Sequence, residues 1–206
     1  MKIYDISMTI SKDIQVYKEK PEKKPIIETV SDFDYASAYE TNITMNLHTG
    51  THMDFPLHMI KNGETSDTLN LMKLITIAKV FDLSHLTGSI TKNDIAKLDI
   101  KDNDFILFKT QNSFEESWNH QFVFLDKDAA TYLALKKIKG VGVDGLGVER
   151  DQVGHPTHHI LFDAKIIIIE GLRLAHITQG VYMMYALPIK IKGVEALPLS
   201  VILTED

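Results

Sequence analysis

Cysteine is absent from the 206 residues. That excludes disulfides and thiolate chemistry, and it leaves nitrogen and oxygen as the donors a bound metal would use. Blocks of basic charge are missing too: 22 Lys and Arg are interspersed with 28 Asp and Glu, for a formal net charge of -6. No stretch could neutralise a run of phosphates, so nucleic acid is not an expected partner. No apolar run approaches the ~18 residues of a membrane span, and Met1-Lys2-Ile3-Tyr4-Asp5 leads straight into alternating residues. No membrane partner is expected either, and a cytoplasmic protein in a reducing compartment is.

What is present is a 44% apolar chain long enough for one sizeable core, so residues 1–206 are read as a single domain. Alternation from Ile3 to Ile10 predicts a half-buried strand, followed by a charged loop through Lys18-Glu19-Lys20-Pro21 to Pro25 that could lid a pocket. Further strands are predicted at Thr41 to Leu47, Ile75 to Leu83, Asp104 to Thr110, Lys139 to Val143, Lys165 to Ile169, Leu187 to Lys192 and Leu199 to Leu203. Helical periodicity covers Asp126 to Lys137, with Asp126 as cap, and Thr91 to Leu98. Strands and helices alternate loosely, which predicts a mixed α/β or α+β domain around a large sheet or partial barrel.

Nine histidines are spread over the chain, yet three of them and an aspartate fall between His48 and His58. His48 and His52 are four apart, as in helical metalloprotease motifs, but the residues between them are Thr49, Gly50 and Thr51, with no glutamate to act as base. Pro56 also favours extended geometry at Phe55. The segment therefore reads as a tight loop, turned at Gly50, that folds several ligands onto one point. Asp54 is the natural bridging ligand, since its two oxygens can each take one ion.

A second cluster stands far down the chain. His155-Pro156-Thr157-His158-His159 precedes a turn at Asp163-Ala164 and the run Ile166-Ile167-Ile168-Ile169-Glu170. A glutamate closing a buried strand is costly unless it is paired, so Glu170 is a candidate ligand. His155 reads as a turn residue. Periodicity over so short a stretch leaves open which of His158 and His159 faces inward. His85, His120 and His176 stand alone and read as structural.

At this point the residues resemble the cyclase-like metal-dependent hydrolases, which include bacterial kynurenine formamidase and isatin hydrolase. Their signature His-x-Gly-Thr-His-x-Asp-x-Pro-x-His is matched at every fixed position from His48 to His58. Pro156-Thr157-His158, the strand ending in Glu170 and Val141-Gly142-Val143-Asp144 extend the likeness, and its spacing favours His158 over His159. The resemblance implies a swivelling β/β/α-type domain with a central barrel-like sheet flanked by helices. It implies that His48, His52 and Asp54 hold one divalent metal and Asp54, His158 and Glu170 a second, with Asp54 and Glu170 shared. Zinc is the expected ion and manganese the alternative. His58 would be the acid/base for cleavage of a linear or cyclic amide, and the protein would be a homo-oligomer, a dimer or tetramer.

Two departures from the family bear on the substrate. Val16-Tyr17-Lys18-Glu19 keeps an aromatic, Tyr17, as candidate substrate contact but lacks the Pro-Gly that follows it in kynurenine formamidases. Lys109-Thr110-Gln111 stands where relatives often carry Arg-Thr-Gly near the pocket, so a substrate carboxylate or ring could be met differently. A cyclase, dehydratase or lactone hydrolase on the same site, or a silent metal-binding relative, are the alternatives to an amide hydrolase.

Overall fold

The structure is a computed structural model and describes residues 1–205. Its strands begin with β1 (Lys2–Asp5), β2 (Ile26–Ser31), β3 (Glu40–Thr44), β4 (His52–Asp54), β5 (Ile75–Asp82) and β6 (Ser89–Ile90). They continue with β7 (Phe105–Lys109), β8 (Phe124–Leu125), β9 (Gly140–Val143), β10 (Ile167–Glu170), β11 (Gly180–Pro188) and β12 (Ala196–Glu205). Three α-helices lie among them, α1 (Lys92–Ile95), α2 (Lys127–Leu135) and α3 (Pro156–Asp163).

The near-continuous apolar runs of β7, β9 and β10 are buried on both faces, as parallel strands covered on two sides must be. β5, β7, β9 and β10 run parallel in that order. Antiparallel β4 extends the sheet beyond β10, while β11 and then β12 extend it beyond β5. β12 meets β4, so seven strands close into a barrel, and β1 pairs with the far end of β12. Pleating divides the side chains between two cores. Phe105, Leu107 and Ile169 fill the barrel with Met184 and Val201, whereas Ile106, Phe108 and Ile168 pack outward against Leu133 of α2 and Leu161 of α3. The fold is therefore the mixed α/β barrel-like sheet with few helices that the resemblance implies.

Both predicted helices form, with shorter spans. Asp126 caps α2 by accepting from Ala129 N at 2.8 Å, and the helix stops before Lys137, whose φ of 56° is left-handed. Thr91 and Asp94 make a reciprocal capping box at α1.

The strand expected from Ile3 to Ile10 ends at Asp5, because Met8 N turns away to bond Thr51 Oγ1. The strand expected at Thr41 to Leu47 is β3, paired with β2 in a separate exposed hairpin. The strand expected at Leu187 to Lys192 is mostly absent: β11 ends at Pro188, and the apolar Ile189 and Ile191 beyond it stay exposed. Helix α3 was not expected. It begins with Pro156 at its first turn, where a missing N–H costs nothing. Among the described residues no helix is long and apolar enough to cross a membrane.

Candidate metal centre

The histidine segment, expected as a loop, is half strand. It turns before Thr51, but β4 is clamped between β10 and β12, with His52 opposite both Glu170 and Pro198. Alternation sends Met53 into the barrel core and leaves His52 and Asp54 on the other side.

Two glycines permit this closeness. Gly50 and Gly171 have φ of +73° and +72°, and a Cβ on Gly171 would stand 2.6 Å from the Gly50 carbonyl oxygen. Thr51 Oγ1 donates to Gly171 O at 2.6 Å and accepts from Met8 N at 2.8 Å. The Gly-Thr pair inside the motif is thus architecture, drawing the end of β10 onto the start of β4.

The structure brings all five expected ligands together. His48 Nδ1 lies 3.1 Å from His52 Nε2 and 3.1 Å from Asp54 Oδ1. His52 Nε2 lies 3.3 Å from Glu170 Oε2 and 3.5 Å from Asp54 Oδ1. On the opposite side His158 Nε2 stands 3.7 Å from Asp54 Oδ2 and 3.6 Å from Glu170 Oε1. Both carboxylates therefore lie between a pair of histidines and a third one. α3 settles the choice that periodicity left open: His158 is buried facing the centre, while His159 is half-exposed.

Each of the three histidines has its outer nitrogen facing an acceptor. His52 Nδ1 donates to Gly50 O at 2.9 Å, His158 Nδ1 to Glu149 Oε1, and His48 Nε2 lies 3.5 Å from Glu195 Oε1. A proton on the outer nitrogen leaves the inner lone pair free for a cation. Glu149 is itself held by Thr157 N and Gln152 Nε2.

The field of the site favours positive charge. Burial opposes a proton on His52, but the hydrogen bond His52 donates to Glu170 and the charge of Asp54 outweigh it and hold its pKa at about 9. Burial also pushes the Asp54 carboxyl up, and His158 and His48 overcome this to hold it well below the ordinary value. Among the described residues both Asp54 oxygens and His158 Nε2 are buried with no hydrogen-bond partner. Unsatisfied buried groups cost about 1–3 kcal/mol each, and more when charged, a penalty that a divalent cation removes. All-nitrogen-and-oxygen donors of this kind suit such an ion.

His58 stands on the turn Pro56–His58, its ring centroid 4.1 Å from that of His48 and 5.6 Å from that of His158. Burial lowers its pKa to about 4, so at neutral pH it is an uncharged imidazole able to accept a proton. One of its ring nitrogens also comes close enough to His48 and Asp54 to share an ion with them.

These side chains open into a cavity of about 170 Å³ lined also by Tyr17, Lys23, Leu146 and His155. Tyr17, the candidate substrate contact, lines this cavity, its ring 4.8 Å from Trp118 and 6.3 Å from Phe122. Lys109 does not: it is buried, donates to Ile177 O at 2.8 Å and lies 3.2 Å from Asp82. His155 does turn the chain, at φ 50°, but it also lies 3.6 Å from Glu149. A second recess, of about 250 Å³, lies beside Phe55 and Phe162 and includes none of the histidines. Glu149, Glu195 and Lys23 escaped the sequence reading because none stands at a telling spacing from the motif; tertiary contacts alone bring them in.

Similarity to known proteins extends over nearly the whole chain. The model of the family described as "Putative cyclase" matches residues 4–150. A kynurenine formamidase of Salinibacter ruber is 31% identical over 208 residues, covering 100% of this chain and 98% of that protein. A solved structure described as a potential metal-dependent hydrolase with cyclase activity is 50% identical with a TM-score of 0.93, covering 98% of this chain and 96% of that one. Isatin hydrolase A of Labrenzia aggregata, bound to benzyl benzoate, shares the fold at 23% identity and a TM-score of 0.84, over 98% and 93% of the two chains.

Proposed function

The chain belongs to the cyclase family, and from that membership we propose that it is a metal-dependent hydrolase of the carbon–nitrogen bond in a small linear or cyclic amide. The observation that carries the reading is the bare pair of Asp54 oxygens with His158 Nε2, buried among histidines whose outer nitrogens face acceptors. In this reading His48, His52, Asp54, His158 and Glu170 would hold two divalent ions, the carboxylates of Asp54 and Glu170 standing between the pair His48 and His52 and the opposite His158. Zinc is the ion we assign, with manganese as the alternative. Ions bound there would lower the pKa of a water and polarise the substrate carbonyl.

The chain's own residues do the rest. His58, uncharged and facing the cavity, takes a proton at a ring nitrogen and returns it to the departing amide nitrogen. Tyr17, braced by Trp118, offers an apolar face to the substrate beside the site. Glu149 holds the ring of His158 in one orientation. The protein acts as a homo-oligomer, and what supports this is the exposed apolar surface of the β2–β3 hairpin, with Ile26, Phe33, Tyr35 and Ile43 outward.

The test is metal content of protein purified without chelator, followed by assays on N-formyl aromatic amines and cyclic imides in ¹⁸O-labelled water. Expected are two ions per chain, label in the acid product and loss of cleavage on chelation. Fewer than one ion per chain contradicts the two-ion site, and a product without label points to a lyase or cyclase instead.

A further inference from the structure

The cavity holds a cation that the metal chemistry does not use. Lys23 closes the short turn Pro21–Lys23, and its carbonyl oxygen accepts from the buried Thr49 Oγ1 at 2.8 Å. The turn is thereby pinned to the histidine segment, and Lys23 lines the same cavity as His58, His158 and Glu170. Its ammonium lies 5.4 Å from the centroid of the Tyr17 ring and, among the described residues, pairs with no carboxylate or carbonyl.

The acids on that wall are otherwise engaged or solvated. Glu149 is bound to His158 and Thr157, Glu170 accepts from Val148 N at 2.6 Å, and Asp151 is exposed. Burial, reinforced by Lys20, depresses the Lys23 pKa against the opposing charges of Glu170, Glu22 and Asp54, none of which forms an ion pair with it. A partly desolvated cation beside an aromatic ring, over a cavity of about 170 Å³, fits a single-ring molecule with one negative group.

We propose that Lys23 and Tyr17 form an anion-anchoring subsite, and that the substrate is a one-ring amide carrying a carboxylate or similar anion, which Lys23 holds while the ring lies against Tyr17. The chemistry of the substrate rests on the amide-hydrolase reading; the anion subsite can be tested without it. Trp118, the one tryptophan of the chain, stands 4.8 Å from Tyr17 and reports occupancy by fluorescence.

The experiment compares binding of benzoate and benzamide, and turnover of formamidobenzoates and formanilide, by the metal-loaded protein and its Lys23→Met and Lys23→Arg variants. Expected is an anion preference of about tenfold to a hundredfold in affinity and in kcat/KM, collapsed in Lys23→Met and largely restored in Lys23→Arg. A preference that survives Lys23→Met places the anion on the metals and overturns the subsite. Turnover of amides with no anion preference also overturns it, while leaving the hydrolase reading intact. Lys23-dependent benzoate binding with no turnover of any amide does the reverse.

Discussion

The two walls of the reaction cavity are held in different ways. On the side made by β4, β10 and α3, His158 and Glu170 line the cavity with His52 and Asp54 close behind them; all four are between 0% and 4% exposed, and strand pairing or helix packing fixes each backbone. The facing wall, residues 14–24, is two three-residue turns with left-handed backbone at Lys18 and Glu19. It rests on a small cluster of Met8, Ile14 and Val16 apart from the main cores. The first wall positions donors to within the tolerance metal binding demands, at the cost of buried charge. The second can change its side chains without disturbing the barrel. On the proposed reading, chemistry belongs to the rigid wall and substrate choice to the lightly anchored one.

The strongest way to break that division is Asp54→Ala. With the shared carboxylate gone, bound metal should fall to background and activity with it, measured by elemental analysis and hydrolysis of any active amide. Retention of two ions would move the centre elsewhere. Next is His58→Ala, expected to keep the metal while turnover falls about 10²–10⁴-fold, the usual worth of a positioned acid/base. Loss of an ion instead would make His58 a ligand, as its closeness to His48 and Asp54 permits.

The same division explains what could be read from the sequence. His48, His52, Asp54 and His58 were legible because the residues that define the rigid wall are contiguous and their spacing is unusual. Glu170 was legible through the expense of burying a carboxylate at a strand end. His158 was resolved from His159 by resemblance alone, since a helix of eight residues, opened by a proline, carries too little periodicity to be seen. The parallel strands at Phe105–Lys109 and Gly140–Val143 announced themselves as apolar runs, whereas the strand expected at Leu187 to Lys192 overlaps β11 only at Leu187 and Pro188, because Leu187, Ile189 and Ile191 are apolar yet exposed. Glu149 and Lys23 were invisible: a carboxylate nine residues from His158 and a lysine among other loop lysines acquire meaning only in three dimensions.

Glu149→Gln probes the rigid wall one layer behind the ligands. The amide can still accept a hydrogen bond from His158 Nδ1, but it carries no charge to raise the basicity of Nε2. Metal affinity, from competition with a chromophoric chelator, should fall about ten- to hundredfold. An unchanged affinity would mean that α3 alone orients the ring.

The smallest effect is expected where the two walls meet. The Thr49 hydroxyl is the link from the histidine segment to the carbonyl of Lys23, and Thr49→Val removes it while keeping the shape. A net hydrogen bond is worth about 1 kcal/mol, which multiplies the open population of the turn about fivefold. Trypsin should therefore cut after Lys18 and Lys23 about five times faster, since cleavage follows the open fraction when closing outpaces it. Metal content should not change, because no ligand moves, and any anion preference due to Lys23 should weaken. If the metal is lost along with the loop, the two walls are one cooperative unit, and substrate choice could not have drifted in this chain without disturbing the chemistry.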